Sequence, residues 1–400
     1  MKFIVFFLIS SSIVGIAYLY VGWRLIGGSR FTKRTKRLAW LSLLLWYLLP
    51  IVTFASFMER IQSGFDDELS WIGYVSLGLF SMVFSFTVIR DVAYGVVLAF
   101  SKISAAIKRK TRSDLSSRDL LDIDRRRFLL RSSNMGIVGA AAVITGYGVY
   151  EARRRADIEN VTIPITNLPR EFDGFRILFF TDLHVGPTIK RHFVERVAQQ
   201  LDEIKADCLV FGGDLVDGSV PWLREDVAPL KELSAPHGKY FITGNHEYYS
   251  GAISWIEEAG KLGFDVLLNE HRLLQIADAS IVLAGITDYS AGDFIPEQTS
   301  SPAKAFDNAP TGLARILLAH QPRSIFEATK VGIDLQVSGH THGGQFFPWN
   351  YLATLNQPYI KGLHKHEKSW VYVSRGTGYW GPPLRLGIPP EITVLTLRRT

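Results

Sequence analysis

Hydrophobicity is segregated along this chain, and that segregation limits the fold more than any other feature. Before residue 150 long uncharged runs dominate; after about residue 160 the apolar runs shrink to a few residues each. A run of about 20 apolar residues is long enough to cross a bilayer as a helix, whereas short runs bounded by turn residues read as buried strands. The 400 residues therefore divide into a membrane half and a soluble half, each to be read separately.

Three runs predict spanning helices: 3–22 (FIVFFLISSSIVGIAYLYVG), 38–58 (LAWLSLLLWYLLPIVTFASFM) and 70–89 (SWIGYVSLGLFSMVFSFTVI), with 92–100 continuing the third past Arg90 and Asp91. Pro50 is tolerable inside such a helix. A fourth, shorter run is MGIVGAAAVITGYGVY at 135–150. The first run is too long, and too closely followed by a second, for a cleaved signal peptide. The net charge of +6 is concentrated beside these runs, which points to topology and anionic lipid more than to a nucleic-acid groove.

Charge also sets orientation. The loop 24–37 carries six basic residues and no acid, and 101–131 is strongly basic, so both should be cytoplasmic. Glu59, Asp66, Asp67 and Glu68 against Arg60 suit the outside. Everything after about residue 156 then faces outward, although EARRR at 151–155 opposes that reading. The sequence DRRRFLLRS at 124–132, with Arg125, Arg126, Arg127, Phe128 and Leu129, resembles a twin-arginine export signal; ordinary positive-inside flanking is the competing explanation. The expected layout is a membrane region over 1–100 with about three spans, a basic cytoplasmic linker over 101–134, a fourth anchor helix over 135–150 and a soluble domain over 157–400.

In the soluble half, RILFF (176–180) runs into TDLH, CLVF (208–211) into GGDLVDG, KYFI (239–242) into TGNHE, RILL (315–318) into AHQP, and LQV (335–337) into SGHTHGG. Phe193, Val197, Leu201 and Ile204 recur at helical spacing between the first two runs. Strand–helix–strand units predict a mostly parallel sheet, whose ligands gather beyond the carboxyl ends of the strands. All five polar clusters fall there. Later runs look more antiparallel, with a hairpin within 273–288 around Asp278, Ala279 and Ser280 and strands at 370–373 and 392–397; two sheets between helices accommodate them all. The single cysteine, Cys208, excludes an internal disulfide or a Cys-rich zinc site and reads as a core thiol.

The clusters offer Asp182, His184, Asp214, Asn245, His246, His320, His340 and His342: oxygen and imidazole groups without a thiolate. Such a set suits zinc, manganese, iron or cobalt. One tetrahedral ion needs three or four protein ligands, so this surplus suggests two divalent ions bridged by a carboxylate, with Asp214 the natural bridge. Two ions about 3.5–4 Å apart can clamp the attacking and leaving oxygens of a displacement at phosphorus.

D-x-H, G-G-D, G-N-H-E, an isolated histidine and G-H-x-H, in this order over about 170–390, resemble the calcineurin-like metallophosphoesterase superfamily. The resemblance implies an α/β sandwich of two mixed sheets flanked by helices, which here would follow the all-α transmembrane region read from the apolar runs. It implies a first metal on Asp182, His184, Asp214 and His342, and a second on Asp214, Asn245, His320 and His340. A bridging hydroxide would attack phosphorus, and His246, not itself a ligand, would protonate the leaving oxygen. Many members have Asp after that histidine; here Glu247 stands instead, and its longer side chain is expected to reach and orient His246. Within SGHTHGG, alternation along an extended segment would aim both imidazoles at the centre with Thr341 turned away.

Asp217 is expected to shape the turn after Asp214. Arg375 and Arg385 either meet a phosphate or serve structural roles, and His192, His237, His271, His364 and His366 read as surface residues. Trp222, Tyr248, Tyr249, Trp255, Phe346, Phe347, Trp349, Tyr379 and Trp380 flank the motifs, and an aromatic rim beside a membrane anchor suits an amphipathic substrate. The overall layout resembles membrane-tethered bacterial phosphodiesterases. The expected activity is hydrolysis of a lipid-linked or envelope phosphate ester by a multi-pass protein of the bacterial inner membrane, its soluble domain periplasmic or extracellular. Pyrophosphate hydrolysis of a UDP-2,3-diacylglucosamine-type lipid is the alternative substrate reading. A non-catalytic metal- or phosphate-binding sensor and a transporter are the rival functions.

Overall fold

The computed structural model describes residues 2–29, 31–59, 66–107 and 118–400, which form two compact units, Met1–Tyr147 and Gly148–Thr400. Arg60 and the basic stretch 108–112, both used above to assign orientation, lie outside the described residues.

The first unit is built on α1 (Lys2–Gly22), α2 (Lys33–Glu59), α3 (Asp66–Ile107) and most of α4 (Arg118–Arg153). All four helices are long and apolar enough to cross a membrane. Leu19, Leu45, Ile72 and Val97 are exposed, an arrangement that costs free energy in water and little in lipid. Pro50 lies inside α2 without ending it. Two helices exceed the expected spans. The third continues unbroken through Arg90 and Asp91 for 42 residues. The fourth begins at Arg118, so 118–134 is helix rather than an open linker; that stretch contains neither Gly nor Pro and has nothing to break it. The twin-arginine-like residues fall within this helix, their side chains outside the description.

Asp91 accepts hydrogen bonds from Tyr20 (2.5 Å), Arg24 (2.6 Å) and Arg90 (3.0 Å), and Arg90 also donates to Asn134. One ionic knot thus joins the end of α1, the middle of α3 and the residue preceding the fourth apolar run.

The second unit is a sandwich of two six-stranded mixed sheets. In spatial order the first contains β1 (Asp157–Ile165), β12 (Glu391–Arg399), β2 (Arg176–Phe180), β3 (Cys208–Phe211), β4 (Lys239–Phe241) and β5 (Asp265–Val266). The second contains β10 (Gly362–His366), β11 (Ser369–Val373), β9 (Leu335–Ser338), β8 (Arg315–Leu318), β7 (Ala279–Gly285) and β6 (Glu270–Ile276). Strands β2, β3 and β4 are parallel, as are β7, β8 and β9. The antiparallel pairs are β6–β7, β10–β11 and β2–β12; β6–β7 is the predicted hairpin, turning at Ala277 and Asp278, so that Ala279 and Ser280 already belong to β7.

Period-two alternation makes the layers. Ile177 and Phe179 of β2, with Cys208 and Val210 of β3, point between the sheets and meet Leu283, Ile316 and Val337. Leu178, Phe180, Leu209 and Phe211 point the other way, onto α5 (Arg191–Asp202) and α6 (Val220–Val227). Of the predicted helical stripe, Phe193, Val197 and Leu201 are buried on α5, while Ile204 lies just beyond its end. The carboxyl ends of β2, β3, β4, β8 and β9 consequently open onto one edge of the sandwich, each leading into one of the five polar clusters.

EARRR, which opposed an outward domain, is absorbed by this unit. Arg153 donates to the Thr188 carbonyl (3.0 Å), Arg154 pairs with Glu151 (3.1 Å) and Asp157 (2.6 Å), and Arg155 pairs with Glu203 (2.5 Å).

Candidate metal centre

The eight candidate residues converge. Asp182, His184 and His342 bring ligand atoms within 4.8 Å of one another, as do Asp214, His320 and His340. Asp214 links the groups: one of its oxygens is 3.0 Å from His320 Nε2 and 3.7 Å from His184 Nε2. The Nε2 atoms of His184 and His342 are 3.0 Å apart, and His340 Nδ1 is 3.3 Å from His320 Nε2.

Backbone geometry makes this convergence possible. Asp182, His184, Asp214, His340 and His342 all have positive φ, between 50° and 72°. A non-glycine residue in that region costs on the order of 1–3 kcal/mol and persists only where its surroundings fix it. The structure therefore corrects the expectation of an extended SGHTHGG: each histidine turns inward through a left-handed residue. The His340 amide donates to both Asp182 oxygens (2.9 and 3.0 Å), and the Thr341 hydroxyl turns away to the Ile360 carbonyl (2.6 Å). Gly244 and Gly339 press so closely on Asp214 and Asp182 that a Cβ at either would collide with a carboxylate oxygen.

The orienting partners select which ring nitrogen faces inward. His320 Nδ1 lies 2.8 Å from the Gly212 carbonyl, an arrangement that places its proton there and turns Nε2 toward Asp214. His184 Nδ1 is 3.2 Å from Asp217, which likewise leaves Nε2 for the centre. Burial, aided by neighbouring cations, pushes His342 well below the ordinary histidine range and His340 down to about 3; both are neutral imidazoles, the form that binds metal. Asn245 Oδ1 is buried without a hydrogen-bond partner, an acceptor waiting for a cation. These residues fit divalent metal.

Asp217 is the residue whose role the sequence concealed. Its Oδ1 lies 2.5 Å from His246 Nδ1 as well as 3.2 Å from His184 Nδ1, so one carboxylate orients both histidines. Its i+3 spacing from Asp214 in GGDLVDG was the available signal. Burial disfavours a charged His246, but Asp214 and Asp217 outweigh it and hold the imidazole up at about 9. Glu247 does not orient His246. Fully buried, it accepts backbone N–H groups from Gly244 (2.6 Å), Leu215 (2.7 Å) and Asp214 (3.0 Å), fixing the loop that carries Asp214.

Neither arginine is placed as a phosphate clamp. Arg375 is held by Glu391 (2.5 Å) and Glu159. Arg385 is buried, donates to the carbonyls of Arg375, Gly376, Gly378 and Ile388, and stands 3.3 Å behind His342 Nδ1. His192, His271, His364 and His366 make contacts away from the centre. Of the aromatic rim, Trp255, Tyr379, Phe346 and Tyr248 are core residues, while Tyr249 and Trp380 are exposed beside His246.

A two-sheet sandwich presenting clustered carboxylates and imidazoles at its strand ends has the donor set of a divalent-metal centre. Residues 175–344 match the calcineurin-like phosphoesterase family. An uncharacterized metallophosphoesterase of Helicobacter pylori is 31% identical over 397 residues, covering 98% of both chains. A transmembrane protein with metallophosphoesterase domain from Bos taurus is 33% identical over 359 residues, 86% of this chain and 79% of that one. Another so named, from Danio rerio, is 36% identical over 266 residues, 64% of this chain and 61% of its own length. The chain belongs to the metallophosphoesterase family and is a metal-dependent phosphoester hydrolase. Its apolar helices and transmembrane relatives associate it with a membrane.

Proposed function

We propose that the protein is a membrane-anchored, dinuclear phosphodiesterase acting on a lipid-linked or envelope phosphate ester. Asp182, His184 and His342 would hold one divalent ion, Asn245, His320 and His340 the other, and Asp214 would bridge them. Manganese, zinc and iron all suit these donors. When bound, the ions supply charge neutralisation at the phosphate and activation of water. The oxygen of water forms the new bond to phosphorus, the bond to the leaving oxygen breaks, and that oxygen takes a proton from His246. The observation that carries the reading is the Asp217–His246 pair at the edge of the cluster: with Nδ1 occupied at 2.5 Å, Nε2–H is the proton free to be delivered.

The ionic knot supports an outward domain. It joins Arg24 after the first apolar run, Arg90 and Asp91 after the third, and Asn134 before the fourth, so these three ends share one side with the basic loop 24–37. The fourth run would then deliver residues 157–400 to the opposite face, periplasmic or extracellular in a bacterial inner membrane. Pairing within the bundle also suits an anchor better than a transport path. An outward domain argues against a cytoplasmic nucleotide-lipid substrate.

The test uses the full-length protein in detergent with added manganese, assayed on bis-p-nitrophenyl phosphate and on lipid phosphodiesters. Hydrolysis abolished by chelation is expected; inactivity on both would remove the proposal. A C-terminal reporter active only in the periplasm checks the orientation.

A further inference from the structure

We propose that Tyr249, Trp380 and Phe294 form a platform that receives the leaving group, so that the preferred substrates carry an aromatic ring on the ester oxygen. This rests on the reading of His246 as proton donor. The His246 ring centroid lies 5.1 Å from that of Tyr249 and 5.8 Å from that of Trp380, and Phe294 extends the surface 5.5 Å beyond Tyr249. At 58%, 56% and 50% exposure, Tyr249 and Trp380 stand in water against His246 with Phe294 beside Tyr249, the kind of patch that marks a ligand surface.

Both key rings are tied to the metal centre. Tyr249 sits on α7 (Asn245–Ser250), the helix that carries Asn245 and His246. Trp380 lies in a loop that Gln345 clamps from both sides. The Trp380 amide donates to Gln345 Oε1 (3.0 Å), and Gln345 Nε2 donates to the carbonyls of Trp380 and Pro382 (3.1 Å each). Gln345 is buried, at φ 52°, and follows directly on the motif bearing His340 and His342. It is thus a positioning residue, holding Trp380 in register with the metal-binding turn. Atoms bonded to the oxygen that His246 protonates must lie within a few ångströms of the imidazole, and Tyr249 and Trp380 border that ring. Rings meeting an aromatic surface prefer offset or edge-to-face contacts, which exposed Tyr and Trp side chains can offer without burying a polar tip.

Calorimetry on the manganese-loaded full-length protein in detergent tests this with phenylphosphonate and methylphosphonate. The expected result is about tenfold tighter binding of phenylphosphonate. Trp380→Ala should erase that ratio, and Trp380→Phe should keep most of it. Tyr249→Ala gives a second readout should Trp380→Ala fold poorly. Equal affinities in the wild type, binding of neither phosphonate, or a ratio untouched by both alanine variants would overturn the platform. Turnover is measured separately on the same preparation. A phenyl preference without turnover would refute the proposed function while retaining the platform; turnover without the preference would do the reverse.

Discussion

The two halves of the proposed metal centre each join two histidines to Asp214 and one further oxygen donor, Asp182 or Asn245, but are held differently. Around Asp182, His184 and His342, the outer ring nitrogens face side chains, Asp217 behind His184 and Arg385 behind His342, while the His340 amide holds Asp182. Around Asp214, His320 and His340, the supports include the main chain, with the Gly212 carbonyl behind His320 and the His246 amide on Asp214 (2.9 Å). A support made by a side chain can be removed by mutation, whereas a backbone support cannot. The histidines of the first half are therefore tunable, and through Asp217 one of them shares its support with His246, the proposed proton donor. In the second half, His320 and Asp214 are held by the main chain.

The largest effect should come from Asp214, which belongs to both halves. Asp214→Asn is expected to lower bound metal from about two ions per chain to below one and activity by at least about 10³-fold, whereas His184→Ala and His320→Ala should each lose one ion. Plasma-emission metal analysis reads this; loss of only one ion in Asp214→Asn would break the idea of a shared bridge.

Next comes the shared support. His246→Ala should reduce kcat by about 10²–10⁴-fold with metal content intact. Asp217→Asn should cost about 10–100-fold and, unlike His246→Ala, also weaken metal binding in the first half. Equal metal affinity in these two variants would show that Asp217 supports only the proton donor.

The smallest effect is a titration. In metal-stripped protein His246 should remain protonated until pH rises through about 9, because Asp214 and Asp217 outweigh its burial. Asp217→Asn removes one of these charges, so the midpoint, followed by imidazole NMR, should move to lower pH. An unmoved midpoint would assign the elevation to Asp214 alone.

Much of this molecule was legible because its signals are local. An uncharged run of spanning length needs no partner to be recognised, and neither does a strand that ends in a ligand cluster. The long-range contacts were not. GNHE placed Glu247 next to His246 in sequence, yet its carboxylate turns to three backbone amides, and the acid that meets His246 comes from β3's loop, 29 residues earlier. Trp380 was visible only as one aromatic among many until Gln345 was found to clamp it. EARRR read as a cytoplasmic charge signal because its acidic partners, Glu203 among them, are unrecognisable before the domain folds.

The sequence by itself determined the inventory: which segments favour lipid, which runs pair as strands, and which oxygen and imidazole donors collect at their ends. The tertiary structure decided the pairing. Left-handed dihedrals at five of the donors bring residues from distant strands within bonding distance, and they leave Asp217 to orient both His184 and His246. Composition and periodicity carry the cost of burying a group, but hydrogen-bond geometry depends on where two distant backbones pass.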